Sequence, residues 1–188
     1  MASLAVARSE LILGGQDSGK TARAEMLAAC WLAAAAGHEA VYIATAQAWD
    51  EEMRERIARH RRDRAERVPR MRTVEEPLAL AQAIGRNSRP DTLVVVDCLT
   101  LWLTALLLPA VPLEPPPPEP ASLADAIAAC AGPLVLVRNE ADAGAPPLGP
   151  EAQRFAQALG GLNQQAAAAC ERVTLMAAGQ PLTLKGGA

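Results

Sequence analysis

Residues 11–21 read Leu-Ile-Leu-Gly-Gly-Gln-Asp-Ser-Gly-Lys-Thr, and no other stretch limits the fold so tightly. Gly14, four intervening residues and then Gly19-Lys20-Thr21 fit G-x-x-x-x-G-K-[ST], the phosphate-binding loop. An apolar run precedes it and a helix-forming stretch, 22–36, follows at once. Strand, glycine-rich turn and helix are the context this pattern needs. Glycines let the backbone curl so that successive N–H groups point at a phosphate. The following helix turns its positive end toward the same phosphate. Lys20 is placed to reach the outer phosphates, and Thr21 to hold Mg²⁺ through its hydroxyl. The plain alternative is a turn that only links a strand to a helix.

The rest of the chain supplies a matching frame. Helix 20–36 is expected to stop at Gly37-His38. Residues 41–45 read as a second buried strand, 50–67 as a very charged helix, and 76–86 as an amphipathic one. Residues 92–97, Thr-Leu-Val-Val-Val-Asp, form the clearest buried parallel strand. An apolar run that ends in aspartate fits a Walker B strand, with Asp97 orienting water on Mg²⁺; a helix-capping aspartate is the alternative. A helix is expected over 99–108. The proline-rich stretch 109–120 fits neither a helix nor a central strand and reads as a surface loop. Then come helix 121–131, strand 134–137, loop 139–150, helix 151–170, strand 173–176 and a last strand at 182–184. This alternation in 188 residues predicts one α/β domain, a mainly parallel sheet with helices on both faces. Ligands bind such sheets at the carboxyl ends of the strands. Gly14–Thr21, Thr45–Gln47, Asp97 and Asn139-Glu140 should converge there.

Composition narrows the partners. A net charge of −3 and an aromatic content of 3% argue against nucleic-acid binding. The four cysteines form no C-x-x-C pair and read as buried free thiols of a reducing cytoplasm. Arg8 and Glu10 interrupt any N-terminal signal core. The apolar run 101–111 is too short to span a bilayer.

Helix 50–67 has one unusual stripe. Met53, Ile57 and His60 are spaced four and three apart and so share a face, the only apolar one. His60 should turn toward the protein with Arg59, Arg61, Arg62 and Arg64 around it. A neutral imidazole is a competent nucleophile toward phosphorus, and the arginines can neutralise the polyphosphate under attack. Periodicity alone leaves a second reading open, a histidine that only packs.

Taken together, several motifs in fixed order resemble the bifunctional adenosylcobinamide kinase/adenosylcobinamide-phosphate guanylyltransferase family of cobalamin biosynthesis. They are Gly14-Gly15-x-x-Ser18-Gly19-Lys20-Thr21, Ala24-Glu25, Tyr42-Ile43-Ala44-Thr45, Glu52-Met53, Arg56-Ile57 and His60. Arg72-Thr73-Val74-Glu75-Glu76-Pro77, the run 97–103, Asn139-Glu140, Arg154-Phe155 and Leu162-Asn163-Gln164 extend the likeness over about residues 10–185. The resemblance implies a RecA-like P-loop fold, a homotrimer and a two-step enzyme. ATP or GTP phosphorylates adenosylcobinamide; a histidine then takes GMP from GTP and passes it to adenosylcobinamide phosphate. By this resemblance His60 is the nucleophile. The nucleotide contacts fall on Gly14, Gly15, Gln16, Asp17, Ser18, Gly19, Lys20, Thr21, Thr45, Ala46, Gln47, Arg61, Arg62, Asp63, Arg64, Glu75 and Asp97, and the metal contacts on Thr21 and Asp97. The chain departs from the pattern in three places. Asp17 stands where members carry Arg, residues 141–147 replace a Val-Gly-x-Gly run, and Ala156-Gln157 replaces Arg-Asp. A P-loop kinase without guanylyl transfer, and a nucleotide-binding module without catalysis, are the competing readings.

Overall fold

In the computed structural model, residues 4–108, 122–140 and 149–187 are described. The elements run β1 (Ser9–Gly14), α1 (Lys20–Ala34), β2 (Glu39–Ala44), α2 (Glu51–Arg67), β3 (Met71–Glu75), α3 (Leu80–Asn87), β4 (Thr92–Asp97) and α4 (Leu99–Leu107). They continue with α5 (Leu123–Ala129), β5 (Leu134–Asn139), α6 (Pro150–Ala169), β6 (Arg172–Ala177) and β7 (Gln180–Lys185). The proline-rich stretch 109–120 and the altered run 141–147 lie outside the described residues.

The strands form one sheet in the order β3-β2-β4-β5-β1-β6-β7, parallel throughout except for β7. Alternation along each strand sends side chains to opposite faces, and both faces are covered. Ile12, Tyr42, Leu93, Val95, Val135 and Val137 pack under Ala24, Leu27, Ala28 and Leu32 of α1. Leu11, Val41, Ile43, Val94, Val96 and Leu136 pack against α3, α4, α5 and α6 through Leu80, Ile84, Trp102, Ile127 and Ala166. This is why the strands read as continuous apolar runs rather than alternating ones. The expected α/β layering with helices on both faces is what the chain adopts.

Three differences from the sequence reading matter for the site. First, Met71–Glu75 is a strand that the apolar pattern does not announce. β3 is an edge strand, and only Met71 in it is fully buried. Second, the helix read as 76–86 begins at Leu80. The Glu76 carboxylate accepts from the N–H groups of Leu78 at 3.1 Å and Ala79 at 2.8 Å, holding those residues in a turn. Third, α1 ends at Ala34, three residues before Gly37.

Register sets the geometry of the working edge. Gly14 pairs with Asn139, Ala44 with both Asp97 and Glu75, and Asp97 with Val137. The carboxyl ends of five neighbouring strands therefore align. β5 stands between the phosphate-loop strand β1 and β4, which ends in Asp97.

Candidate active site

The loop from Gly14 to Gly19 owes its shape to backbone that side chains resist. Gly14 has φ +154°, and a Cβ there would lie 2.6 Å from the Met176 carbonyl oxygen. Gly19 has φ +96° and serves as the N-cap of α1. No side chain caps that helix start and no acid stands in its first turn, which leaves its N–H groups for an anion. Asp17 also adopts the left-handed region, φ 53°, which Asp tolerates better than most residues.

Lys20 is buried beneath the loop. Its Nζ donates to the Gly15 carbonyl, to Ser18 Oγ at 3.3 Å and to Asn139 Oδ1 at 3.2 Å. Burial lowers its pKa from the ordinary lysine value, opposed by the charge of Asp97. Thr21 Oγ1 donates to Asp97 Oδ2 at 2.8 Å, and Tyr42 Oη donates to the same oxygen at 2.8 Å. Beside them the Cys98 thiol is pushed up to about 12 by burial and by Asp97. That makes it a poor nucleophile despite its position. One hydroxyl and one carboxylate fit Mg²⁺, which keeps several waters and takes its remaining ligands from phosphates. Among the described residues no group of three or more His, Cys, Asp or Glu makes a fuller metal cage.

Thr45 behaves otherwise than a free ligand contact. Its hydroxyl donates to the Cys98 carbonyl and accepts from the Cys98 N–H, both at 2.8 Å, so it ties the end of β2 to the end of β4. Gln47 accepts from the Trp49 indole at 3.0 Å, and Ala46 lies between them, half-buried.

The second group of residues sits on α2 and β3. Asp50 caps α2 by accepting from the Met53 N–H at 2.7 Å. Glu51 and Glu52 occupy the first turn, and Arg64 and Arg67 the last, all favourable to the helix dipole. Met53, Ile57 and His60 are half-buried and Arg64 is buried, on one face as the spacing predicts. His60 makes no hydrogen bond among the described residues. Arg61 pairs with Glu75 across to β3, Asp63 with Arg67 at 3.8 Å, and Arg62 is exposed. Arg64 packs its guanidinium 3.7 Å above the Tyr42 ring and donates to Thr73 Oγ1 at 3.1 Å. Among the described residues it has no carboxylate partner. A cleft of about 350 Å³ opens here, lined by Arg61, Arg64, Thr73 and Glu75 among others.

The predicted residues thus form two clusters. Gly14–Thr21 and Asp97 meet around Lys20; Arg61, Arg64 and Glu75 meet around the cleft. Asn139 joins the first cluster through Lys20, and its signal was its place at a strand end. Arg138, on the other face of β5, is buried against Glu140 at 3.2 Å, and nothing in the residue pattern points to it.

The family model described as cobinamide kinase / cobinamide phosphate guanyltransferase matches residues 10–184. The bifunctional adenosylcobalamin biosynthesis protein CobP of Pseudomonas aeruginosa is 45% identical over 177 residues, covering 94% of this chain and 97% of that protein. The bifunctional adenosylcobalamin biosynthesis protein CobU of Escherichia coli is 33% identical, covering 93% of this chain and 98% of its own. The protein of the same name from Salmonella typhimurium is 31% identical, with the same coverage. The chain belongs to the cobinamide kinase / cobinamide phosphate guanyltransferase family.

Proposed function

We propose that the chain carries out both steps that the family description names, and that His60 is the group that carries GMP. In the first step the free hydroxyl of adenosylcobinamide attacks the γ-phosphorus of ATP or GTP, loses its proton, and a nucleoside diphosphate leaves. In the second, a ring nitrogen of His60 attacks the α-phosphorus of GTP and pyrophosphate leaves. A phosphate oxygen of adenosylcobinamide phosphate then attacks that phosphorus and the P–N bond breaks. Adenosylcobinamide-GDP and free His60 result.

The chain's own residues divide this work. The open start of α1 and the Gly14–Gly19 backbone bind phosphates, and Lys20 adds a charge. Mg²⁺, held by Thr21 and through water by Asp97, would neutralise phosphate charge. Arg64 offers an unneutralised guanidinium in a largely buried setting, suited to a polyphosphate. Arg61, Arg62, Asp63, Glu75 and the segment Thr45–Gln47 complete the nucleotide contacts in this reading.

The observation that carries it is the contact of Thr21 with Asp97, joined through Tyr42 to Arg64 on the helix that bears His60. Incubation with α-labelled GTP followed by denaturing electrophoresis tests it. The expected result is a labelled band, lost in acid and stable in base. No band with phosphorylation intact would leave a kinase alone.

The reading extends to a cytoplasmic homotrimer. Nucleoside triphosphates are cytoplasmic substrates, and no helix among the described residues is long and apolar enough to cross a membrane. Exposed Leu182 and Leu184 on the edge strand β7 supply apolar surface for a second copy. Sedimentation equilibrium distinguishes trimer from monomer.

A further inference from the structure

We infer that Tyr42 is a positioning residue that couples the phosphate-loop cluster to the helix bearing His60. The inference rests on the proposed role of His60.

Two contacts of one side chain carry it. At its polar end, Tyr42 Oη donates to Asp97 Oδ2, the oxygen that also accepts from Thr21. On its ring face it holds the Arg64 guanidinium at 3.7 Å. Both partners are confined, since Tyr42 is 5% and Arg64 4% exposed. Arg64 lies four residues after His60 on α2, one helical turn along the same face. Its remaining named contact, Thr73 Oγ1, belongs to the edge strand β3. The polar path therefore runs Thr21, Asp97, Tyr42, Arg64, and then one turn of helix to His60.

The two ends do different things. The phenol O–H occupies one direction on the Asp97 carboxylate and fixes its rotation, which both reactions need. The ring sets the height of α2 over the sheet through a buried cation–π contact, which only the transfer to His60 needs. An aromatic residue that merely filled the core would serve both reactions alike, or neither.

Substitution separates the two ends. Tyr42→Phe keeps the ring and loses the O–H; Tyr42→Leu loses both. Rates of phosphorylation and of labelling by α-labelled GTP are measured at saturating nucleotide, with melting temperatures as the control for folding. Tyr42→Phe is expected to slow both reactions by about the same factor, about tenfold. Tyr42→Leu is expected to slow phosphorylation no further but labelling at least another tenfold. Phenylalanine thus rescues the ring-dependent part. An equal ratio of the two rates in both variants, or wild-type rates in Tyr42→Phe, overturns the inference. Wild-type protein that takes no label overturns the His60 reading itself, and so is told apart.

A measurement without substitution covers the case where Tyr42→Leu does not fold. Tyr42 is the chain's single tyrosine, so 3-fluorotyrosine labelling yields one ¹⁹F resonance. That signal should shift when GTP binds and shift again when the GMP adduct forms. A resonance unmoved by adduct formation overturns the coupling.

Discussion

Thr21 Oγ1 donates to Asp97 Oδ2 at 2.8 Å across 76 residues of sequence. The contact joins the start of α1, which follows β1, to the end of β4, although β5 stands between those two strands in the sheet. It places the hydroxyl at the mouth of the phosphate loop against the one carboxylate that ends a central strand. Asp97→Asn keeps an acceptor for Thr21 but removes the charge. The lost charge-assisted bonds are worth about 1.5–3 kcal/mol each, or roughly 10- to 100-fold in rate. Steady-state assays should show both reactions slowed by that factor with the melting temperature little changed. Activity within about twofold of wild type would remove Asp97 from the site.

His60→Ala should abolish GMP labelling and guanylyl transfer while keeping phosphorylation of adenosylcobinamide. Lys20, Thr21 and Asp97 do not depend on the imidazole for any contact. Mass spectrometry of the protein after incubation with GTP reads the adduct directly. An adduct persisting in His60→Ala would point to another nucleophile, and Cys98, raised to about 12 by burial, is a poor one.

Lys20 gives a pH dependence with two signs. Burial holds its ammonium below the ordinary lysine value of 10.5. Between the lowered value and 10.5 the unfolded chain binds more protons than the folded one, so this group's contribution to stability rises with pH there. Nucleotide binding runs the other way, because the phosphates need the ammonium. Affinity for GTP should fall across the same window. Calorimetry in buffers from about pH 7 to about pH 10 should find proton uptake on binding at the alkaline end. Lys20→Ala should bind more weakly by roughly 1.5–3 kcal/mol and lose that uptake.

Away from the site, Glu10 is 1% exposed and holds three partners. Arg23 of α1 bonds it at 2.9 Å, Thr174 of β6 at 2.8 Å, and Arg172 lies at 3.5 Å. Glu10→Leu would leave the buried Arg23 without its carboxylate and would take one partner from Arg172. Breaking a buried pair from one side costs about 3–5 kcal/mol. Urea unfolding should show a loss of that size, while the folded fraction keeps its nucleotide affinity.

That network also marks where the residue pattern stops being informative. Glu10 reads only as a charge interrupting an apolar N-terminus, since partners on α1 and β6 are visible only after folding. The strands β1, β2, β4 and β5 were legible because burial on both faces gives them continuous apolar runs, and β6 because Val173, Leu175 and Met176 outweigh a single Thr174. β3 was not, because an edge strand needs only one good face and Arg72, Thr73 and Glu75 are exposed. The phosphate loop was legible because its chemistry is local in sequence. Tyr42 was visible only as part of a motif: a tyrosine in an apolar strand looks like core until the Asp97 carboxylate and the Arg64 guanidinium are seen against it. Thr45 sat at a strand end as expected, yet its hydroxyl is spent on Cys98, which no spacing rule reveals.

Asp17 offers a test of how far the loop's own charge limits binding. It is exposed, forms no ion pair among the described residues, and its charge raises the pKa of Lys20. It therefore acts on the loop's field without being neutralised by a neighbour. Arg61 is itself paired with Glu75. A carboxylate about 6–8 Å from a polyphosphate repels it by about 1 kcal/mol per unit charge at an effective dielectric of roughly 40. Reversing the sign doubles that to roughly 2 kcal/mol before screening by salt. A backbone cost opposes the change in stability but not in binding. Asp17 has φ 53°, and a long side chain in the left-handed region costs about 1–2 kcal/mol relative to the right-handed one. Asp17→Arg should therefore melt slightly lower yet bind GTP several-fold more tightly at low salt, with the gain shrinking as salt rises. Asp17→Asn, which keeps a side chain suited to that backbone, should fall about midway in affinity with no loss of stability. Titration calorimetry of the three proteins at two ionic strengths decides it. Equal affinities would mean that the Asp17 side chain is screened from the phosphates by solvent, and that the loop's attraction for nucleotide comes from Lys20 and the backbone alone.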